Sequence, residues 1–99
     1  MNPIIDKIIN ADRDVFVIFF TYGCHYSEQA LDLLRQSNVL YKGYDISDIN
    51  GQMPKLLEIL NENAKLIGFD SNHRTRPIIF LNGKFIGGYN ELSKLISKN

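Results

Sequence analysis

Cys24 is the only cysteine of the 99 residues, and it stands between the apolar run Val15-Phe16-Val17-Ile18-Phe19-Phe20 and the helix-like stretch Glu28-Gln29-Ala30-Leu31-Asp32-Leu33-Leu34. A thiol at a strand end and helix start meets the unpaired N–H groups of the first turn and the positive end of the helix dipole. Both favour the thiolate, the nucleophilic form. The same junction also suits a small buried hydrophobe, because a free cysteine packs well beside apolar residues. Two further clusters could serve a ligand: Thr75-Arg76-Pro77, ahead of an apolar run, and Gly87-Gly88-Tyr89-Asn90-Glu91. The glycines let backbone approach a ligand closely, and the N–H groups that open a following helix seat an anion. A strand-start proline and a glycine bulge followed by a helix cap are the plain alternatives. One cysteine forms no internal disulfide, and with His25 and His73 beside it there is no closed zinc set, so no metal site is assigned.

These residues need a frame. Asn2 caps a first helix with Pro3 at its opening position, and Ile4, Ile5, Ile8 and Ile9 recur at helical spacing on one face. Val15 to Phe20 reads as a strand buried on both faces, and Thr21-Tyr22-Gly23 as the loop before Cys24. The next helix carries Ala30, Leu31, Leu33 and Leu34 on its core stripe and ends near Ser37-Asn38, before a second strand from Val39 to Ile46. A helix between two strands implies a right-handed parallel βαβ unit. A further helix runs from about Gln52 to Lys65, with Leu56, Leu57, Ile59, Leu60 and Ala64 as its apolar face, and a loop spans Leu66 to Arg74. Two short strands, Pro77 to Leu81 and Lys84 to Ile86, flank the hairpin signal Asn82-Gly83. Glu91 to Lys98 closes the chain as a helix with Leu92, Leu95 and Ile96 inward. The expected architecture is an α/β domain with a four-stranded mixed sheet, one parallel βαβ unit plus an antiparallel hairpin, flanked by helices on both faces. Cys24 would lie at the carboxyl edge of the parallel strands, where ligands gather in open α/β sheets.

Residues 1–99 fit one domain. Eleven basic residues balance eleven acidic ones, so nucleic acid is not an expected partner. The opening Met1-Asn2-Pro3-Ile4-Ile5-Asp6-Lys7 lacks a basic n-region and breaks its apolar residues with charge, so neither a signal peptide nor a membrane span is expected, and the cytoplasm is the expected location.

Taken together, Cys24-His25-Tyr26-Ser27 after the first strand, Thr75-Arg76-Pro77 before the third and Gly87-Gly88-Tyr89-Asn90-Glu91 after the fourth resemble the glutaredoxin family, over nearly the whole chain. The resemblance implies a thioredoxin-like fold and a glutathione-dependent thiol-disulfide oxidoreductase that reduces glutathione mixed disulfides on glutathionylated proteins or small molecules, acting as a monomer. Cys24 is then the nucleophile, and Thr21, Tyr22, Gly23, His25, Tyr26 and Ser27 form the active-site loop. Ser27 stands where dithiol members carry a second cysteine; a hydroxyl cannot resolve a disulfide, so the cycle would be monothiol, with glutathione as the resolving thiol. His25 replaces the usual proline and would stabilise the thiolate if charged or donating a hydrogen bond, or else be a solvated loop histidine. Tyr26 matches the aromatic position. The family's cis-proline segment corresponds to Thr75-Arg76-Pro77, where Arg76 would offer backbone N–H and C=O to the cysteinyl part of glutathione. Gly88, Tyr89, Asn90 and Glu91 would hold its γ-glutamyl end, with Glu91 pairing the ligand's amino group. Thr21 stands where the family usually has a lysine, so Arg74, Arg76 or Lys55 would have to supply the missing charge.

Two rivals go with this reading. Some monothiol members carry a [2Fe-2S] cluster between two chains, each giving one cysteine, here Cys24, with two glutathiones as the other ligands. A redox-dead adaptor is the other, given the absent lysine and second thiol.

Overall fold

A computed structural model describes residues 2–97. Its elements are α1 (Pro3–Ile9), β1 (Phe16–Phe20), α2 (His25–Gln36), β2 (Tyr41–Asp45), a 3-10 turn (Ile46–Asp48), α3 (Gln52–Glu62), α4 (Ala64–Ile67), β3 (Ile78–Leu81), β4 (Lys84–Gly87) and α5 (Tyr89–Ser97). Asn2 caps α1 as its sequence position implies, its side chain accepting the Ile4 N–H at 2.8 Å ahead of Pro3.

The sheet has the order β2-β1-β3-β4. β1 pairs with β2 in parallel, Phe16 opposite Tyr41 through Phe20 opposite Asp45, and with β3 antiparallel, Phe16 opposite Leu81. The β3–β4 hairpin turns at Asn82 and Gly83, both with positive φ, as a two-residue turn that matches strand twist requires. The turn is tied down from outside: Asp14 N–H donates to Asn82 Oδ1 at 2.8 Å, and Asn82 Nδ2 donates back to Asp14 Oδ1 at 3.2 Å.

Every residue of β1 is buried, and its two faces feed two cores. Val17 and Phe19 pack with Ile78 and Phe80 against α1, α3 and α4 through Ile5, Ile8, Leu56, Leu60 and Ile67. Phe16, Ile18 and Phe20 pack with Ile79 against α2 and α5 through Ala30, Leu31, Leu34 and Leu92. This period of two explains the unbroken apolar run: a central strand has no solvent side.

Four expectations change. The helix expected to end at Lys65 is two helices. Asn63 turns its side chain back to donate to the Ile59 carbonyl at 2.9 Å, which closes α3 and lets α4 start afresh. The loop therefore starts at Gly68, in the left-handed conformation, rather than Leu66, and both Ile67 and Phe69 are buried in the core. The last helix begins at Tyr89, two residues before Glu91, because Glu91 reaches back to cap it. Leu95, expected inward, is 38% exposed, since α5 lies at the rim and Leu92 alone is fully buried from it. Lys98, placed at the end of this helix, lies outside the described residues.

Candidate active site

The N-terminus of α2 is built around Cys24, its N-cap residue, whose backbone is extended and whose side chain makes no capping hydrogen bond. The usual N-cap oxygen is thus replaced by sulfur, and the first-turn N–H groups are left facing it. Burial works against ionisation of Cys24. It is outweighed by the polarity of the nearby Ser27 N–H, Ser27 hydroxyl and Tyr26 N–H, with help from the Arg76 charge, so the thiol ionises more readily than an ordinary cysteine.

Ser27 is therefore more than an absent thiol. It is fully buried, and its Oγ also accepts the Thr21 N–H at 3.3 Å, tying the end of β1 to the helix that carries the nucleophile. Thr21 Oγ1 is buried without a hydrogen-bond partner. Gly23, at φ +83°, has the backbone that the turn into α2 needs, and its N–H donates to Glu28 Oε2 at 2.6 Å. Glu28 was not singled out from the sequence. Its spacing, one helical turn after Cys24, is the signal that it could reach back over the loop.

The other residues of the loop divide. Tyr26 is 55% exposed, and its ring centroid lies 6.3 Å from that of Tyr89. His25 is exposed, and its ring stands edge-on to that of Tyr26 at a centroid distance of 5.5 Å. Tyr22 points outward, 66% exposed, resting edge-on against Phe20 at 4.9 Å.

Opposite Cys24 stands the segment before β3. The Arg76–Pro77 peptide bond is cis, and the Arg76 carbonyl oxygen lies 4.0 Å from Cys24 Sγ. A groove of about 240 Å³ runs from there, lined by Tyr26, His73, Thr75, Arg76, Gly88, Tyr89, Asn90 and Glu91. Its far end is the start of α5, where the Gly88 N–H donates to Glu91 Oε1 at 2.7 Å, the carboxylate half of a capping box. Gly87, at φ +129°, needs to be glycine twice over: the backbone is left-handed, and an added Cβ would come within 2.5 Å of the Glu91 side chain.

The fold thus brings together seven of the residues expected to bind a ligand: Thr75, Arg76, Pro77, Gly88, Tyr89, Asn90 and Glu91. Pro77, next to Arg76 in sequence, is buried and is not itself part of the lining. Arg74 is exposed and does not line the groove. Of the three cations offered for the missing lysine, Arg76 is the one that both lines the groove and acts on Cys24. Lys55 sits on α3, across the sheet from α2, paired with Glu58 at 3.6 Å. His73, which the sequence marked only as a histidine short of a zinc set, joins the groove. Its position four residues before a proline that opens a strand was the one available clue.

Comparison with known proteins finds relatives in sequence and in fold. The glutaredoxin family model matches residues 16–86. The chain is 48% identical over 96 residues to a probable glutaredoxin of Acanthamoeba polyphaga mimivirus, a match spanning 97% of this chain and 91% of that relative. Among solved structures, the dithiolic glutaredoxin 2-C-Grx1 of Trypanosoma brucei brucei superposes with a TM-score of 0.69 at 26% identity, covering 99% of this chain and 90% of that one. A buckwheat glutaredoxin–glutathione complex is similar in fold, with a TM-score of 0.71 at 19% identity over 94% of this chain and 76% of that one.

Proposed function

Because this chain belongs to the glutaredoxin family of thiol-disulfide oxidoreductases, we propose that it reduces glutathione mixed disulfides by a monothiol cycle with Cys24 as nucleophile. One observation carries the reading. The single thiol, made acidic by the Ser27 and Tyr26 donors, faces the Arg76 carbonyl at the mouth of a groove that ends at a second helix N-terminus. A ligand there would have its sulfur at Cys24, its peptide backbone along Arg76 and its terminal carboxylate at the start of α5.

The chemistry balances with glutathione as the only co-reactant. The Cys24 thiolate attacks the glutathionyl sulfur of a mixed disulfide; the new Cys24–glutathione bond forms as the old S–S bond breaks, and the substrate thiolate leaves, reduced. The thiolate of a second glutathione then attacks the glutathionyl sulfur held on Cys24. Glutathione disulfide departs, and Cys24 returns as thiolate. Ser27 cannot take the place of the second glutathione, but its hydroxyl stabilises Cys24 both as the attacking thiolate and as the leaving one. At the far end, Glu91 already holds the Gly88 N–H, so the N–H groups of Tyr89 and Asn90 are the ones we assign to the γ-glutamyl carboxylate.

The experiment is turnover of a glutathionylated peptide coupled to glutathione reductase, wild type beside Cys24→Ser. Wild-type turnover that disappears in the variant is expected; turnover that survives it would sink the reading. The cluster-carrier alternative needs thiolates from outside the chain, since among the described residues no three His, Cys, Asp or Glu side chains group to hold a metal ion. It would take over if anaerobic reconstitution with iron and sulfide gave a coloured dimer containing glutathione.

A further inference from the structure

The groove has two walls from distant parts of the chain, the Thr75–Pro77 segment and the start of α5, and one side chain touches the support of both. The His73 ring stands edge-on to Phe85 of β4 at 5.1 Å, and its Nε2 lies 3.2 Å from the Pro77 carbonyl oxygen. The ring also borders Gly88: an added Cβ there would come within 3.3 Å of both His73 Cε1 and the Pro77 oxygen. Two pieces of backbone and one aromatic ring therefore converge on this imidazole. Pro77 is buried and precedes the first paired residue of β3, Ile78, so its carbonyl depends on a side chain for a donor. A carbonyl oxygen only accepts, so Nε2 carries the hydrogen.

We propose that His73 is a positioning residue of the glutathionyl groove, a staple whose Nε2–H to Pro77 bond and contact with Gly88 fix the spacing between the two walls. This rests on the function proposed above. His73 acts on the bound group through the backbone on either side of it and does not touch the sulfur. The expected signature is loss of affinity for the glutathionyl group with no loss of thiol reactivity. His73→Phe keeps an aromatic ring against Phe85 and Gly88 but removes the donor. His73→Gln puts an amide N–H at a similar reach.

The test measures KM and kcat for a glutathionylated peptide, the rate of Cys24 alkylation by iodoacetamide and the thermal midpoint of wild type and both variants. His73→Phe is expected to raise KM about tenfold, the size of one lost buried hydrogen bond, with the alkylation rate unchanged; His73→Gln is expected to recover KM to within about threefold of wild type. An unchanged KM in His73→Phe overturns the proposal, as does an equal loss in both variants. A fall in alkylation rate and thermal midpoint that accounts for the whole effect reduces His73 to a fold residue and also overturns it. In the wild-type protein itself, long-range proton–nitrogen NMR should show His73 protonated on Nε2, and a proton on Nδ1 alone overturns the staple even if a variant does not fold. If wild type turns over no glutathionylated peptide, the functional reading fails, and the NMR result still decides whether the staple exists.

Discussion

Two helices start at opposite ends of one groove, and they treat their first-turn N–H groups differently. At α2 the N-cap is Cys24, which offers no side-chain cap; the Tyr26 and Ser27 N–H groups face its sulfur and draw it toward the thiolate. At α5 the Gly88 N–H is already taken by Glu91. The same backbone chemistry thus makes a reactive end and a closed, pre-shaped end. The difference lies in which residue occupies the cap: sulfur must share its donors with chemistry, whereas a carboxylate three residues into a helix satisfies the backbone and holds still.

Breaking the open end has the largest effect. Cys24→Ala should bring turnover of a glutathionylated peptide to background while leaving the thermal midpoint within a few degrees of wild type, as measured in the coupled assay and by calorimetry. Next comes the geometry of the closed end. Gly87→Ala places a Cβ at φ +129° against Glu91, and urea denaturation should show a loss of about 2 to 3 kcal/mol.

Ser27→Ala sharpens the comparison, because it removes a hydroxyl from the open end alone. The Cys24 pKa should rise, so the thiolate fraction at any pH below it falls and the alkylation profile moves to higher pH. At pH 7 the rate should drop about tenfold, the lower end of the worth of one hydrogen bond to a charged group. Glu91→Ala is the matching change at the closed end. It should cost about 1 kcal/mol of stability and leave the alkylation profile where it was; a profile that moved would mean the two helix ends are not independent. The smallest effect is expected of Thr21→Val, which removes a buried hydroxyl without a partner and should raise stability by less than about 1 kcal/mol.

Much of this could be read before the fold was known, and particular residues show why. Val15 to Phe20 declared a central strand through an unbroken apolar run, and Asn82-Gly83 declared its hairpin, because local backbone preference and burial pattern agree there. Asn63 did not declare its helix break, since an asparagine that bonds back to Ile59 looks the same in sequence as one facing water. The role of Ser27 was half legible. Its identity rules out a second thiol, but its double duty as acceptor from Thr21 and donor to Cys24 depends on its lying fully buried between β1 and α2. His25 was legible only as a neighbour in sequence: its exposed ring packs edge-on to Tyr26, a contact that chain adjacency to Cys24 does not specify.

By itself, the sequence determined that one thiol sits at a strand-to-helix junction, that no second thiol can resolve its disulfide, and that proline and glycine punctuate the chain at two further points. Those are properties of residue type and local period. Only the tertiary structure decided that Arg76 is the charge beside the thiol, that Glu91 is committed to a cap and that His73 spans the groove. Each of these depends on groups from separate elements meeting within hydrogen-bond or Coulomb range. Sheet order and two-sided packing set those distances, which sequence separation does not encode.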